Sequence, residues 1–449
     1  MTLAEAALIT GGSVLGEATF NGVTVDSRTV IPGQLFVALQ GDRDGHDYAE
    51  AAVADGAAAL LVEYPTRFGP ELVVKSTLVA LQALGRAARH RFKGPVIAIT
   101  GSSGKTSTKD LLNAILRLKG HTGASVRSFN NELGVPITLL DTPEDAWVMA
   151  IEMGSRGRGH IALLCEMARP NIGIVTNIGM AHLGEFGSVE AIAEAKGELV
   201  VSVAGLGDKG CAVLNADDSN TRRIRARTDG PILTFGEAPG ADVRATNVRL
   251  DDDLRPRFDL VSPFGEAAVR VGARGLHQVS NALAAAAGAL LVGSSIDHVV
   301  AGLADPMLSP ARMEVVRTAA GPIVINDAYN ANPASMRAGL AALCQLSARP
   351  RVAVLGVMAE LGPAGDSWHR QIAEEANDSA IHVIAVNAPA YGAKAFHVQS
   401  HDAVLTALDN LGALDGGAAV LVKGSLVAGL QSLAVRLIGE LGGPMSTAP

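Results

Sequence analysis

The sequence predicts an α/β protein of three units, each a mostly parallel sheet covered by helices, and three observations carry that prediction. Short apolar runs alternate along the chain with longer stretches in which apolar residues recur at helical spacing. The 449 residues are 48% hydrophobic but only 4% aromatic, so the apolar mass is Ala, Val and Leu, the residues that helices laid on parallel strands use. Two punctuation points, Gly94-Pro95 and Pro310, separate segments of different style, which sets expected units at 1–90, 91–311 and 312–449.

Residues 1–90 read as a small N-terminal α/β unit. Leu35–Leu39 and Ala58–Val62 are short strands, Gly41–Gly45 is a turn cluster, and Leu78–Phe92 has helical spacing. Beyond Gly94-Pro95, Val96–Ile99 is a short buried strand followed by Gly101-Ser102-Ser103-Gly104-Lys105-Thr106. The next helix carries Leu111, Leu112, Ile115 and Leu116 on one face. Trp147–Ile151 and Ile172–Val175 are two more buried strands, residues 242–271 read as an antiparallel meander, and Asn281–Val292 is an Ala-rich packed helix. In the last unit Ile323–Ile325, Val352–Leu355, Val383–Val386 and Ala419–Val422 are strands with helical stretches between them, a Rossmann-like parallel sheet. Gly442–Pro449 reads as a frayed tail.

The net charge is −8 and no stretch is rich in Lys or Arg, which argues against nucleic acid or an anionic membrane surface as a partner. Any phosphate must therefore be held locally. Cys165, Cys211 and Cys344 lie far apart with no CxxC, so neither a disulfide framework nor a structural zinc site is expected. The N-terminal segment has no basic region followed by an apolar core, and the longest uncharged run, Asn281–Ile296, is too short for a bilayer. A cytoplasmic protein without membrane insertion is the expectation.

The strongest chemical signal is Gly101-Ser102-Ser103-Gly104-Lys105-Thr106-Ser107 between a strand and a helix. Glycines let successive backbone N–H groups turn inward around phosphate oxygens, and the helix N-terminus adds partial positive charge. Lys105 reaches the β- and γ-phosphates in such a loop, and the Thr106 hydroxyl ligates Mg²⁺. Ile99 stands where the full motif has its first glycine, so this is the shortened GxxGKT form, on a central P-loop ATPase-like parallel sheet. Glu152, closing a neighbouring strand, suits the acidic partner of a Mg²⁺–nucleotide site, although a strand-end surface glutamate reads the same way. His182 follows the strand ending at Val175, and alone it reads as a hydrogen-bonded loop histidine; Lys196 alone reads as a solvated helix residue.

Taken with Val25-Asp26-Ser27-Arg28, Phe129–Pro136, Ile151–Gly154, Ala181–Leu183, Lys196-Gly197-Glu198 and Asn215–Asp218, these segments resemble the Mur ligases, ATP-dependent amide-forming enzymes of peptidoglycan synthesis. Asn326-Asp327-Ala328-Tyr329-Asn330-Ala331-Asn332-Pro333, Met358–Gly362 and Val422–Ser425 are similar to the branch that adds D-alanyl-D-alanine, and argue against the branches adding a diamino acid or glutamate. The resemblance implies ATP and Mg²⁺ as cofactors, with UDP-N-acetylmuramoyl-tripeptide and D-alanyl-D-alanine as partners of a monomer. It implies that Lys196 is carbamylated by CO₂ and lies with Thr106, Glu152 and His182 around the metal. Asn281 is implied as an adenine contact, and Arg312 and Asp327 as residues closing on the ribose and phosphates. Ser27 and Arg28 are implied to hold the uridine diphosphate; Asn130, Asn131, Ser155, Asn330 and Asn332 are implied on the substrate side. The stretch Gly154-Ser155-Arg156-Gly157-Arg158-Gly159-His160 departs from the usual family pattern.

Overall fold

The computed structural model describes residues 1–126, 128–180 and 183–443, Arg222 by its backbone alone. The expected frayed tail therefore lies outside the described residues, except for Gly442 and Gly443. Among the described residues the strands form three sheets, in chain order.

The first sheet holds β1 (Ser13–Leu15), β2 (Val23–Thr24), β3 (Leu35–Val37), β4 (Ala59–Val62) and β5 (Glu71–Val73), ordered β1-β5-β4-β3-β2. Only the β1–β5 pair is antiparallel. The second holds β6 (Val96–Thr100), β7 (Thr122–Ala124), β8 (Val148–Glu152), β9 (Ile172–Val175), β10 (Cys211–Asn215), β11 (Ile232–Gly236), β12 (Val243–Leu250), β13 (Pro256–Ser262) and β14 (Gly265–Arg270). Its order is β14-β13-β12-β11-β10-β9-β6-β8-β7, and the expected meander β12–β14 forms its antiparallel end. The third holds β15 (Glu314–Arg317), β16 (Ile323–Asp327), β17 (Arg351–Leu355), β18 (His382–Val386), β19 (Phe396–Val398) and β20 (Ala419–Lys423), ordered β15-β16-β20-β17-β18-β19 with only β15 antiparallel.

The central strands are apolar throughout because both faces are covered. Ile97, Ile99 and Ile174 pack into one core with the helices Lys105–Leu116 and Gln278–Leu291, while Val96, Ala98 and Val175 pack into another beneath the helix Val189–Ala204. The run Ala284-Ala285-Ala286-Ala287 is almost wholly buried: short side chains let its helix lie close to both sheet and neighbouring helix.

Two switch points position the site. From β6 the chain runs to β7 and β8 on one side, then crosses to β9 on the other, so the loops after β6, β8 and β9 open at one crevice. In the third sheet β20 lies between β16 and β17, and the loops after these three strands meet in the same way. The first sheet docks through the helix Thr77–Arg91, whose Gly85 lies against Pro136 of the helix Gly134–Asp141. Asp141, at the end of that helix, accepts a 2.8 Å hydrogen bond from the Val23 N–H, and burial pushes its carboxyl up to about 6.

A Cβ at Gly85 would lie 2.6 Å from the Pro136 Cβ and 2.8 Å from its Cα. Gly85→Ala is therefore expected to destabilise the protein by about 1–3 kcal/mol through overpacking. Gly205→Ala, whose Cβ meets nothing closer than a carbonyl at 3.5 Å, is the control. Urea midpoints check this; equal midpoints for the two variants would refute the close docking.

Candidate active site

The loop after β6 is shaped by contacts that only glycine permits. A Cβ at Gly101 would fall 1.8 Å from the Thr176 Oγ1, and at Gly104, where φ is +79°, 2.2 Å from the Asn281 Oδ1. The loop is locked to the segment after β9. Ser103 N–H donates to the Asn177 Oδ1 at 3.0 Å while the Asn177 Nδ2 donates to the Ser103 carbonyl at 3.1 Å. Ser102 Oγ donates to the Gly179 carbonyl at 3.1 Å and accepts from its N–H at 2.8 Å. Gly104 then begins the helix Lys105–Leu116, whose first N–H groups face the cleft. Lys105 Nζ folds back on the Gly101 carbonyl at 2.8 Å. Burial drives its ammonium pKa down, with Glu152 opposing that shift and Arg312 reinforcing it.

Glu152 ends β8 and is 1% exposed, so the surface reading of this residue is excluded. Its Oε2 accepts from the Thr106 hydroxyl at 2.8 Å and its Oε1 from the Asn130 Nδ2 at 2.7 Å. Arg312, in the linker entering the third sheet, donates from Nη2 to the same Thr106 oxygen at 2.9 Å while its guanidinium lies 4.2 Å over the Tyr329 ring. Arg312 Nε is buried and has no partner among the described residues, a donor left for an anion. Ser107 lies at the cleft wall behind Thr106.

Across the cleft Asp327 ends β16. Its Oδ2 accepts from Lys423 Nζ at 2.5 Å and its Oδ1 from the Met313 N–H at 3.1 Å; Lys423 donates also to the Asn330 carbonyl at 3.0 Å. Glu360 follows β17 with φ at +72°, a conformation costly for a side chain, and its carbonyl accepts from the Gly184 N–H at 3.1 Å. The two facing walls enclose about 1020 Å³, room for a nucleotide and a peptide together.

The structure gathers most residues named from the sequence. Gly104, Lys105, Thr106, Glu152, Asn130, Asn131, Ser155, Asn281, Arg312, Asp327, Asn330 and Asn332 all line the cleft. Several are engaged within the protein. Asn332 Oδ1 caps the helix Pro333–Gln345, Asn131 Oδ1 accepts from the Leu133 and Gly134 N–H groups, and Asn281 Nδ2 donates to Gln278 Oε1. Ser27 and Arg28 are not among its walls. They form a single turn of the first unit, with Arg28 held bidentate by Asp26 and its side chain 86% exposed. His182 lies outside the described residues.

Lys196 is 2% exposed, not solvated as its helix position alone implies. Burial pushes its ammonium pKa well below the usual value, and Lys105 adds repulsion. Among the described residues no three or more His, Cys, Asp or Glu side chains cluster as a metal site. Thr106 and Glu152 nonetheless present hard oxygen donors beside the phosphate loop, which fits Mg²⁺. Sequence reasoning missed Asn177, Tyr329 and Glu360 as site residues. The available signal was position in the loops that follow the parallel strands β9, β16 and β17.

Gly104→Ala must displace Asn281 or the loop, so it is expected to weaken ADP binding at least about tenfold. Gly240→Ala, with nothing within 4 Å, leaves it unchanged. Calorimetric titration with ADP checks this; unaltered affinity in the Gly104 variant would refute the tight loop–Asn281 packing as a binding determinant.

Three family descriptions match: the Mur ligase family catalytic domain over residues 19–91, the Mur ligase middle domain over 99–289, and the Mur ligase glutamate ligase domain over 311–426. The UDP-N-acetylmuramoyl-tripeptide–D-alanyl-D-alanine ligase of Mycobacterium tuberculosis is 40% identical, the match covering 98% of each chain. MurF from Acinetobacter baumannii superimposes with a TM-score of 0.86 at 32% identity over 97% of this chain and 98% of that one. MurF ligase from Thermotoga maritima, solved in complex with ADP, gives 0.78 at 27% identity over 94% and 96%. With all three regions matched in order and full-length relatives at this identity, the chain belongs to the Mur ligase family.

Proposed function

We propose that this protein is the ATP-dependent ligase that joins D-alanyl-D-alanine to UDP-N-acetylmuramoyl-tripeptide, forming the pentapeptide precursor of peptidoglycan. The observation that carries this reading is full-length similarity to ligases of that name, combined with a cleft in which a phosphate loop faces Asp327, Lys423 and Asn330. The three sheets support functional units at 1–90, 91–311 and 312–449, holding the uridine diphosphate end, the nucleotide and the incoming amine respectively. Ser27 and Arg28 are the proposed contacts of the first; their place outside the cleft walls suits the far end of a long substrate.

The reaction has two steps. A carboxylate oxygen of the tripeptide attacks the γ-phosphorus of ATP, the bond to the β–γ bridging oxygen breaks, and ADP leaves an acyl phosphate. The amine of D-alanyl-D-alanine then attacks the acyl carbon, loses a proton, and expels phosphate as the amide forms. Both reacting partners of the first step are anions, so the protein's task is to concentrate positive charge and hold the two in line. Lys105 and the loop N–H groups face the phosphates, and Arg312, fixed on Tyr329, directs its guanidinium at the same place. Asn281 flanks the nucleotide, and Asp327 with Lys423 holds the third unit's edge over it. Closing these walls excludes water, which would otherwise hydrolyse the acyl phosphate.

Thr106 and Glu152, with His182 and a carbamylated Lys196, are the residues we assign to Mg²⁺; when bound, the ion neutralises phosphate charge. The environment of Lys196 supports carbamylation: a buried amine kept neutral retains the lone pair that adds to CO₂, and the product is a carboxylate-like group. A monomer in the cytoplasm completes the reading; no helix among the described residues is long and apolar enough to cross a membrane.

The test is phosphate release from ATP with UDP-N-acetylmuramoyl-tripeptide, with and without D-alanyl-D-alanine. Release requiring both, with a pentapeptide product by mass, is expected; release requiring a free diamino acid and the dipeptide precursor instead would overturn the assignment. Lys196→Ala is expected to lose at least about 99% of activity, to recover part of it with a short carboxylate such as acetate, and to gain nothing from bicarbonate. Full activity of that variant would sink the carbamate.

A further inference from the structure

The segment Ser155–His160 departs from the family pattern, and beyond the implied place of Ser155 on the substrate side it has no assigned role. It is nevertheless a built feature. Gly154 N–H donates to the Asn130 carbonyl at 2.7 Å, tying its start to the wall that also holds Glu152. Glu198, two residues beyond Lys196, accepts from the Gly159 N–H at 2.6 Å and the Ala162 N–H at 2.9 Å, closing the N-terminus of the helix His160–Ala168. Arg156 N–H donates to the His160 Nδ1 at 3.3 Å, and Arg158 turns away to pair with Glu194 at 2.5 Å.

Two groups in this segment are left over, and both line the cleft. The Ser155 Oγ is buried and has no hydrogen-bond partner among the described residues, an unusual state for a hydroxyl in a site with room for ligand. The Arg156 guanidinium is exposed to the cleft and has no ion-pair partner among the described residues, unlike Arg158. Burial and Glu185 push the Glu360 carboxyl up, and the charges of Lys105 and Arg156 oppose that shift across the cleft. The other cations facing the cleft have assignments: Lys105 and Arg312 stand at the phosphate loop, and Lys423 is neutralised by Asp327.

We propose that Ser155 and Arg156 bind a carboxylate on the side chain of the third residue of the acceptor peptide, making the enzyme selective for a diamino dicarboxylic acid there over lysine. This rests on the ligase reading. The peptide's reacting carboxylate must lie beside Thr106 and Glu152. Ser155 and Arg156 follow Glu152 by three and four residues, at most about 14 Å along an extended backbone. Side chains on both partners close that gap. The segment belongs to the Asn130 wall, whereas the incoming dipeptide enters against the loops after β16, β17 and β20. Diaminopimelate offers a second carboxylate matching a guanidinium fork and a hydroxyl; lysine offers none and leaves both groups unmatched.

The experiment compares kcat/KM for UDP-muramoyl-tripeptides ending in meso-diaminopimelate and in lysine, using the full chain and its Arg156→Gln and Ser155→Ala variants, with melting curves as a folding control. The wild type is expected to prefer the diaminopimelate peptide at least about tenfold, with Arg156→Gln raising its KM and bringing the ratio to within about threefold. Arg156→Lys is expected to restore only part of the preference. Equal use of both peptides by the wild type, equal losses on both in Arg156→Gln, or an effect confined to the KM for D-alanyl-D-alanine would each overturn the proposal. If Arg156→Gln fails to fold, the wild-type ratio and Ser155→Ala still decide it. Turnover of neither peptide would overturn the ligase reading itself.

Discussion

A carboxylate buried to 1% exposure, that of Glu152, is the constraint around which the catalytic half of this protein is arranged. An ionised carboxylate cannot be left in a protein interior without hydrogen bonds or opposite charge. Here the demand is met from three directions: the Thr106 hydroxyl at the start of the phosphate-loop helix, itself held by Arg312, the Asn130 amide from the segment after β7, and the charge of Lys105. Each of those groups is thereby fixed in place. Because Arg312 stacks on Tyr329 beyond β16, satisfying Glu152 also ties the third sheet to the second. Ordered polar groups around a pocket open to ligand are what electrostatic stabilisation of a phosphoryl transfer requires.

The second sheet and its phosphate loop were legible in the sequence because their cause is local. Ile97 and Ile99 are buried on alternate faces from Val96 and Ala98, and a strand covered on both sides reads as a continuous apolar run. The meander at 242–271 was legible for the same reason, its strands showing half-buried alternation. Short edge strands were not. β1 and β7 are three residues each, too short for any periodicity to register, and are recruited by β5 and β8, neighbours distant in sequence.

The site was legible only in part, and the division again follows locality. Gly101 to Thr106 form a contiguous device, whereas Lys196 depends on tertiary context: its helix supplies one buried face, and only the sheet beneath removes its water. By composition alone that lysine is a solvated residue, and it took family resemblance to pick it out. Asn131 and Asn332 are the converse case. Their strings resemble substrate-binding motifs, yet both side-chain oxygens hold helix N-termini, so any contribution to substrate contact must come from their remaining donors. Arg156 carried no signal beyond its departure from pattern, and although the resemblance placed Ser155 on the substrate side, its unsatisfied hydroxyl exists only once the chain has folded around it.

The burial of Lys196 has a consequence for how charge is distributed across the cleft. Two ammonium groups, Lys105 and Lys196, lie close enough to repel each other, and burial opposes the charged state of both. An arrangement with both protonated and no ligand is electrostatically poor. It can be relieved by losing the proton from Lys196 or by bringing anions in, and nucleotide phosphates are such anions. Glu152 and Glu360 both favour the charged form of Lys105, the form the proposed reaction uses, whereas Lys196 has no carboxylate acting on it among the described residues. The proton is therefore lost from Lys196 first. A neutral amine there is the form that can react with CO₂, and the resulting negative charge would stabilise Lys105 instead of opposing it. The same burial that makes Lys196 unfavourable as a cation would thus make the proposed carbamate a match for the positively charged loop beside it.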